Sequence, residues 1–259
     1  MEITWYGTAS LKIEYEGCAV MLDPYITRNL SLPSMVPDDV DNVNALLLTH
    51  GHFDHASDLP YLVADRNIPV YASAETVRVL SGHPEYQSLN LNPVLPGKRF
   101  KTGNFFITPC KAGHVKFDIP LIVRTILRIF KTPASIAKPL AGVIIDFFKY
   151  PEGESFAWEV KCGKGSVLIF GSMGFADDVI YPRPDLLILP LQGHSRIFDF
   201  AIEAAARIKP AALMPDHFDD SFPPVSDTID ADAFKEIMRK RIPGVRTIVP
   251  RHREKINLF

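Results

Sequence analysis

Three imidazoles and one carboxylate stand within six consecutive positions, in Thr49-His50-Gly51-His52-Phe53-Asp54-His55. Neutral imidazole and carboxylate oxygen are ligand types that hold zinc, manganese or iron. The cluster follows Ala45-Leu46-Leu47-Leu48, a continuous apolar run that reads as a buried strand. A turn at a strand's end can aim alternate side chains at one point, and loops there commonly carry function. A histidine-rich surface turn would need all four groups to coincide for no purpose, so a metal site is the expected reading. A cation held there would lower the pKa of its water toward about 7 and polarise a substrate oxygen. That chemistry is hydrolysis of an ester, lactone, amide or phosphoester by metal-bound hydroxide. Asp54 would orient the nucleophile or move its proton.

The elements that must position these groups show in the apolar pattern. Ile3-Thr4-Trp5-Tyr6 leads to Gly7. Ser10 to Tyr15 alternates with period two, Glu16-Gly17 makes a hairpin turn, and Ala19-Val20-Met21-Leu22 ends at Asp23-Pro24. Residues 27–42 read as a loop. Ser57 to Arg66 reads as a helix, Pro69-Val70-Tyr71 as a strand and Ala74 to Leu80 as a short helix. Phe105-Phe106-Ile107-Thr108 is a strand that delivers His114. Gly142 to Phe148 reads as a strand. Phe156 to Val160 and Val167 to Phe170 flank a hairpin signal at Cys162-Gly163-Lys164-Gly165. Leu186 to Leu189 is a strand, Phe200 to Ile208 a helix, and Ala211 to Met214 a strand running into His217. Ala231 to Arg241 is the last helix and Arg246 to Val249 the last strand. Strands first in series and then alternating with helices predict sheets covered by helices. Taken alone, His114 and His217 each fit a loop histidine as well as a ligand, although a metal site needs ligands from separate segments. His83 and His252 lack supporting context and read as surface residues.

Composition narrows the function. The chain has 259 residues, 47% hydrophobic and 22% charged, with a formal net charge of -2. No basic excess asks for nucleic acid, so none is expected as a partner. The three cysteines, Cys18, Cys110 and Cys162, are far apart and form no C-x-x-C, which fits a reducing compartment. Met1 to Gly7 lacks the basic and apolar regions of a secretory signal. No run approaches the 18 or so apolar residues that would span a bilayer. A cytoplasmic enzyme acting on a small molecule is the expectation.

The H-x-H-x-D-H pattern after an apolar strand resembles the metallo-β-lactamase superfamily. Met1 to Tyr25 is similar to that superfamily's opening hairpin, which ends in an Asp-Pro like Asp23-Pro24. Asp185 to His217, with Gly193-His194 and Pro215-Asp216-His217, resembles its lactonase-like branch, which includes ascorbate-6-phosphate lactonases. The resemblance covers nearly the whole chain. It implies an α/β (α+β) fold, a four-layer αβ/βα sandwich with two mixed sheets face to face and helices outside, as one domain over residues 1–259. It also implies two ligand groups: His50, His52 and His114 in one, Asp54, His55 and His217 in the other. By the branch pattern His194 is a candidate for leaving-group contact or oxyanion stabilisation. Asp23 and Asp58 are candidates to support the imidazoles from behind.

Two departures from the family pattern bear on function. The aspartate that usually bridges both metals is replaced in Ile169-Phe170-Gly171-Ser172-Met173-Gly174 by Ser172, a neutral and weak ligand. Asp54 is then the one direct anionic ligand, with Asp23, Asp177 or Asp178 as possible compensation, and buried charge is costly unless paired. One tightly held ion is expected, zinc or otherwise manganese or iron, with a second weak or absent. Related sequences also often carry Gly-His near the start, where this chain has Gly7-Thr8. Two other readings stay open: a phosphodiesterase or nuclease of the same fold, and a metal-binding protein that lost its chemistry with the bridging aspartate.

Residues 115–150 stand out as a candidate lid or oligomer-contact insertion. Pro120 suits the first turn of a helix. On that helix Arg124, Arg128 and Lys131 share one face, while Ile119, Ile122, Val123, Ile126, Leu127 and Phe130 occupy the other. Six basic residues, Lys116, Arg124, Arg128, Lys131, Lys138 and Lys149, against Asp118 and Asp146 give the segment a net +4. An amphipathic helix packed on the core is the plain expectation. Peripheral membrane contact through 119–131, an apolar or anionic substrate, and a homo-oligomer are the sharper ones.

Overall fold

The computed structural model describes residues 1–63, 65–132 and 137–258, with the backbone alone at 137–140. The first half of the chain runs β1 (Glu2–Trp5), β2 (Leu11–Tyr15), β3 (Cys18–Leu22), β4 (Ala45–Leu47), α1 (Phe53–Ala56), α2 (Leu59–Val63), β5 (Val70–Ser73), α3 (Ala74–Ser81) and β6 (Leu91–Val94). The second half continues with β7 (Phe100–Thr102), β8 (Phe105–Lys111), α4 (Ile119–Lys131), α5 (Ala137–Lys149), β9 (Phe156–Cys162) and β10 (Gly165–Phe170). It closes with β11 (Leu186–Pro190), α6 (Ile197–Ile208), β12 (Ala212–Asp216), α7 (Ala231–Arg241), β13 (Arg246–Thr247) and β14 (Lys255–Asn257). Two seven-stranded mixed sheets result, in the orders β14-β1-β2-β3-β4-β5-β6 and β13-β12-β11-β10-β9-β8-β7.

Side-chain alternation makes the layers. Val20, Leu22, Ala45 and Leu47 of the first sheet share one apolar cluster with Val167, Ile169, Ile188 and Met214 of the second, so the sheets pack face to face. The residues between them point the other way. Met21, Leu46 and Leu48 meet Leu59 and Leu62 of α2. Leu168, Phe170, Leu187 and Leu213 meet Ala201 and Ala205 of α6 and Phe234 and Met238 of α7. Strands covered on both faces need apolar side chains at every position, which is why β11 and β12 read as continuous runs. Helix, sheet, sheet, helix is the α/β sandwich that the resemblance implies.

Several elements differ from the sequence reading. Gly142 to Phe148 is not a strand but the second half of α5. Val143, Ile144, Phe147 and Phe148 recur at helical spacing, and buried Val143 joins the cluster of Phe53 and Phe222. Helical structure begins inside the histidine cluster, at Phe53, and the anticipated Ser57–Arg66 helix is only the five-residue α2. Ala64 lies outside the described residues, as do residues 133–136 and the side chain of Lys138 in the 115–150 segment. The short strands β6, β7 and β14 have too few residues to show a period. Helix α4 does not pack into the core, because none of its residues is buried. Among the described residues, no helix is long and apolar enough to cross a membrane.

Candidate metal centre

Five polar side chains follow the C-terminal ends of strands: Asp23 after β3, His50 after β4, His114 after β8, Ser172 after β10 and His217 after β12. Strands β3 and β4 run parallel, and β8 and β10 share one direction because both pair antiparallel with β9. Strand β12 follows in parallel through β11. Within each sheet these ends therefore open on one edge, and the two edges meet.

Backbone contacts fix the histidine turn. Gly51 N donates to Glu152 O at 2.7 Å, and a Cβ at Gly51 would stand 2.4 Å from Pro151 O. Phe156 N donates to Thr49 O at 2.7 Å and the Trp158 indole donates to Leu48 O at 3.0 Å. Residue 51 must therefore be glycine for His50 and His52 to be pressed against the second sheet. On the far side a Cβ at Gly174 would meet the Gly113 carbonyl carbon at 2.2 Å and His114 N at 2.4 Å. That close approach sets the loop carrying His114.

The ligand groups inferred from resemblance come together. Ligand atoms of His50, His52 and His114 lie within 4.8 Å of one another, and so do those of Asp54, His55 and His217. His50 Nε2 and His52 Nδ1 are 3.1 Å apart, and the His52 and His114 rings are 4.7 Å apart. His114 Nδ1 donates to Val115 O at 2.7 Å, which leaves Nε2 as the bare nitrogen. In the second group His217 Nε2 lies 3.0 Å and His55 Nε2 3.7 Å from Asp54 Oδ2.

Electrostatics separates the two groups. Burial disfavours charge on His50, His52 and His114, lowering all three and bringing His52 down to about 4. They are neutral imidazoles, the form that ligates metal. Burial also opposes charge on His55, but Asp23 and Asp54 override it and push His55 up to about 9. Burial works against the Asp54 carboxylate too, and His55 and His217 overcome it, holding Asp54 below its ordinary range. His217 Nδ1 is buried without a hydrogen-bond partner in the protein. Converging neutral imidazoles beside one anionic oxygen, all six donors drawn into two compact groups, fit a divalent cation better than a self-contained hydrogen-bond network.

The remaining residues sort clearly. Asp23 touches the site: its Oδ2 is 2.9 Å from His55 Nδ1. Asp58 does not. Arg28 and the Ile26 N–H occupy it, so it supports the loop after β3 and no imidazole. Asp177 and Asp178 are exposed, with Asp178 paired to Lys111, and compensate nothing at the cluster. Ser172 Oγ accepts the Val115 N–H at 3.0 Å, securing the loop after His114. His194 borders the same cavity, with its Nδ1 accepting from Arg196 N and its Nε2 3.8 Å from Asp118 Oδ2.

Two residues escaped the sequence reading. His252 is not a free surface histidine: Nε2 donates to Asp219 Oδ2 at 3.1 Å and the ring stacks on Trp5 at 4.4 Å. Asp216 is fully buried with neither carboxylate oxygen hydrogen-bonded, and burial and Asp23 push it well above the usual carboxylate range. Its place at the end of β12, beside His217, was the available signal.

A family model described as Beta-lactamase superfamily domain matches residues 19–218. The UPF0173 metal-dependent hydrolase of Polynucleobacter asymbioticus is 27% identical over 229 residues, covering 85% of this chain and 75% of that protein. The UPF0173 metal-dependent hydrolase of Archaeoglobus fulgidus is 25% identical over 250 residues, covering 96% and 95%. Igni18, a metallo hydrolase from Ignicoccus hospitalis, superposes with a TM-score of 0.69 at 17% identity, covering 98% of this chain and 97% of the other. That last likeness is one of fold.

Proposed function

The chain belongs to the metallo-β-lactamase superfamily, and from that premise we propose that it is a metal-dependent hydrolase acting on a small molecule at the His–Asp cluster. The observation that carries the reading is the meeting of two three-residue donor groups on the wall of one cavity of about 370 Å³. The metal-dependent hydrolase names of its relatives support it.

His50, His52 and His114 would hold one cation and Asp54, His55 and His217 another. A bound divalent cation supplies Lewis acidity, acidifying water and polarising a substrate oxygen. The chain's own residues do the rest. Asp54, kept anionic by His55 and His217, orients the attacking water through its carboxylate. His194, whose Nδ1 is occupied by Arg196 N, presents Nε2–H to the leaving group as its bond to the substrate carbon or phosphorus breaks. Asp23 fixes the orientation of His55, and the apolar wall limits water to the reacting edge.

Charge favours one tightly held ion, zinc first. Asp54 is the sole carboxylate among the six donors, and Ser172 adds none. The lactonase-like branch is supported by Gly193-His194 and Pro215-Asp216-His217 alone. The test is metal analysis after dialysis, joined to a panel of esters, lactones and phosphodiesters assayed with zinc and manganese. One equivalent retained, lost in His217→Ala, and hydrolysis of one substrate class is the expected result. Full metal retention with no hydrolysis of any class would leave a binding protein in its place. Two tightly held equivalents would overturn the single-ion assignment.

A further inference from the structure

The wall of the cavity opposite the histidines is a second feature with chemistry of its own. Helices α4 and α5 supply Leu121, Ile122, Ile126, Ile144, Phe147 and Phe148 to it, and the Phe147 ring lies 5.8 Å from that of His52. These side chains find little protein to cover them: Ile126 is 45% and Ile144 46% exposed. An uncollapsed apolar gap needs something to hold it open, and polar anchors do so. Asp118 caps α4 and accepts from Ser195 N at 3.1 Å and from Ser195 Oγ. Further along α4, Arg128 is clamped by Asp227 and by the carbonyls of Ser226 and Pro224. The ligand groups, Gln192 and His194 gather at the other end, and the polar groups on the α4 side are Thr125, Arg124 and the Arg128–Asp227 pair.

From this division we infer that the substrate is an amphiphile: a hydrolysable carbonyl or phosphoryl head at the His–Asp cluster, joined to an apolar chain running between α4 and α5. The inference rests on the hydrolase reading for the head and on the cavity wall alone for the chain. A polar sugar or nucleotide would leave its hydroxyls and phosphates against isoleucine and phenylalanine, where unpaired polar groups are costly. An apolar chain instead covers exposed apolar surface, the usual driving force in such pockets. Of the segment's cations, Arg124 and Arg128 border the cavity: Arg128 is neutralised by Asp227, and Arg124 is solvent-exposed.

The experiment is calorimetric titration of the purified protein with butyrate, hexanoate, octanoate and decanoate, below their critical micelle concentrations. Cleavage of p-nitrophenyl acetate through decanoate is followed on the same preparation. Each added methylene is expected to tighten Kd by roughly threefold to fourfold, with kcat/KM rising in step. Ile126→Gln and Ile144→Gln should flatten that slope, whereas Val123→Gln, on the outward side of α4, should preserve it. A flat slope in the unaltered protein, with metal retained and the short ester still cleaved, overturns the amphiphile inference and leaves the hydrolase reading intact. So does equal flattening by Val123→Gln. A steep binding slope with no cleavage of any ester or phosphodiester supports the apolar site and counts against the hydrolase reading instead.

Discussion

Asp23 Oδ2 lies 2.9 Å from His55 Nδ1, and the same carboxylate accepts both donors of Thr49, N at 2.8 Å and Oγ1 at 2.6 Å. One buried side chain thereby orients a candidate ligand and holds the first residue of the histidine turn. A carboxylate behind a ligating imidazole fixes its tautomer and raises its basicity, and losing one typically weakens metal binding about 10- to 100-fold. Asp23→Asn should show that loss with a smaller stability loss than Asp23→Ala, because the amide oxygen still accepts Thr49 N while the amide nitrogen replaces the oxygen that faces His55. Asp23→Ala should add a stability loss of about 1–3 kcal/mol for donors left buried without an acceptor. Competition with a chromophoric chelator and urea unfolding separate the two effects. Unchanged affinity in Asp23→Asn would remove Asp23 from the site.

The two donor groups differ in the negative charge around them, and this decides which should hold the tight ion. Asp54 belongs to the second group, and Asp23 is bonded to His55. Among the described residues the first group has no carboxylate of its own; Glu152 stands 3.9 Å from His114, and Asp54 acts on His52 from the neighbouring group. A divalent cation is held best where buried charge is matched. His217→Ala should therefore lose the equivalent that survives dialysis, while His114→Ala keeps most of it. The reverse order, read by metal analysis on both variants, would assign the tight ion to the three histidines.

How much of this was legible follows from the range of each contact. The pattern His50 to His55 lies within one turn, so its chemistry can be read locally. His114 and His217 gain meaning only from resemblance, because their partners are 50 or more positions away. Asp23 and Asp58 looked equivalent as carboxylates near the cluster. Their difference rests on Arg28, which takes both oxygens of Asp58. Gly142 to Phe148 fits strand and helix alike over seven residues, and packing of Val143 beside Phe53 chose the helix. His252 pairs with Asp219 across 33 positions and with Trp5 across most of the chain, which no local period reports.

Ser172 occupies the position where a bridging carboxylate is expected, and its hydroxyl is already used by the Val115 N–H. An aspartate there can accept the same hydrogen bond with one oxygen and face the donor groups with the other. Ser172→Asp adds one negative charge beside two cation positions, so it should raise the retained metal from one equivalent toward two. Metal analysis after dialysis reads this directly, and thermal unfolding with and without chelator checks that the fold persists. Retention fixed at one equivalent in a folded variant would show that charge is not what limits the second ion.

His252 should act on the site without touching it. Its Nε2–H bonds Asp219 Oδ2, which also accepts from Ser221 Oγ at 2.7 Å, while Asp219 Oδ1 accepts Thr8 N at 2.9 Å. Thr8 O in turn accepts the His217 N–H at 2.7 Å, and His217 sits at a left-handed φ of 50° that a non-glycine residue adopts only when its surroundings enforce it. The chain His252, Asp219, Thr8, His217 is one route of that enforcement. His252→Ala removes a hydrogen bond to a charged, buried acceptor and the stacking on Trp5, so a stability loss of about 1.5–3 kcal/mol is expected. If the route positions His217, metal affinity should fall as well, and His252→Gln, which keeps an N–H donor toward Asp219, should recover part of both losses. A destabilised His252→Ala whose metal affinity equals that of the unaltered protein would confine His252 to the packing of Trp5.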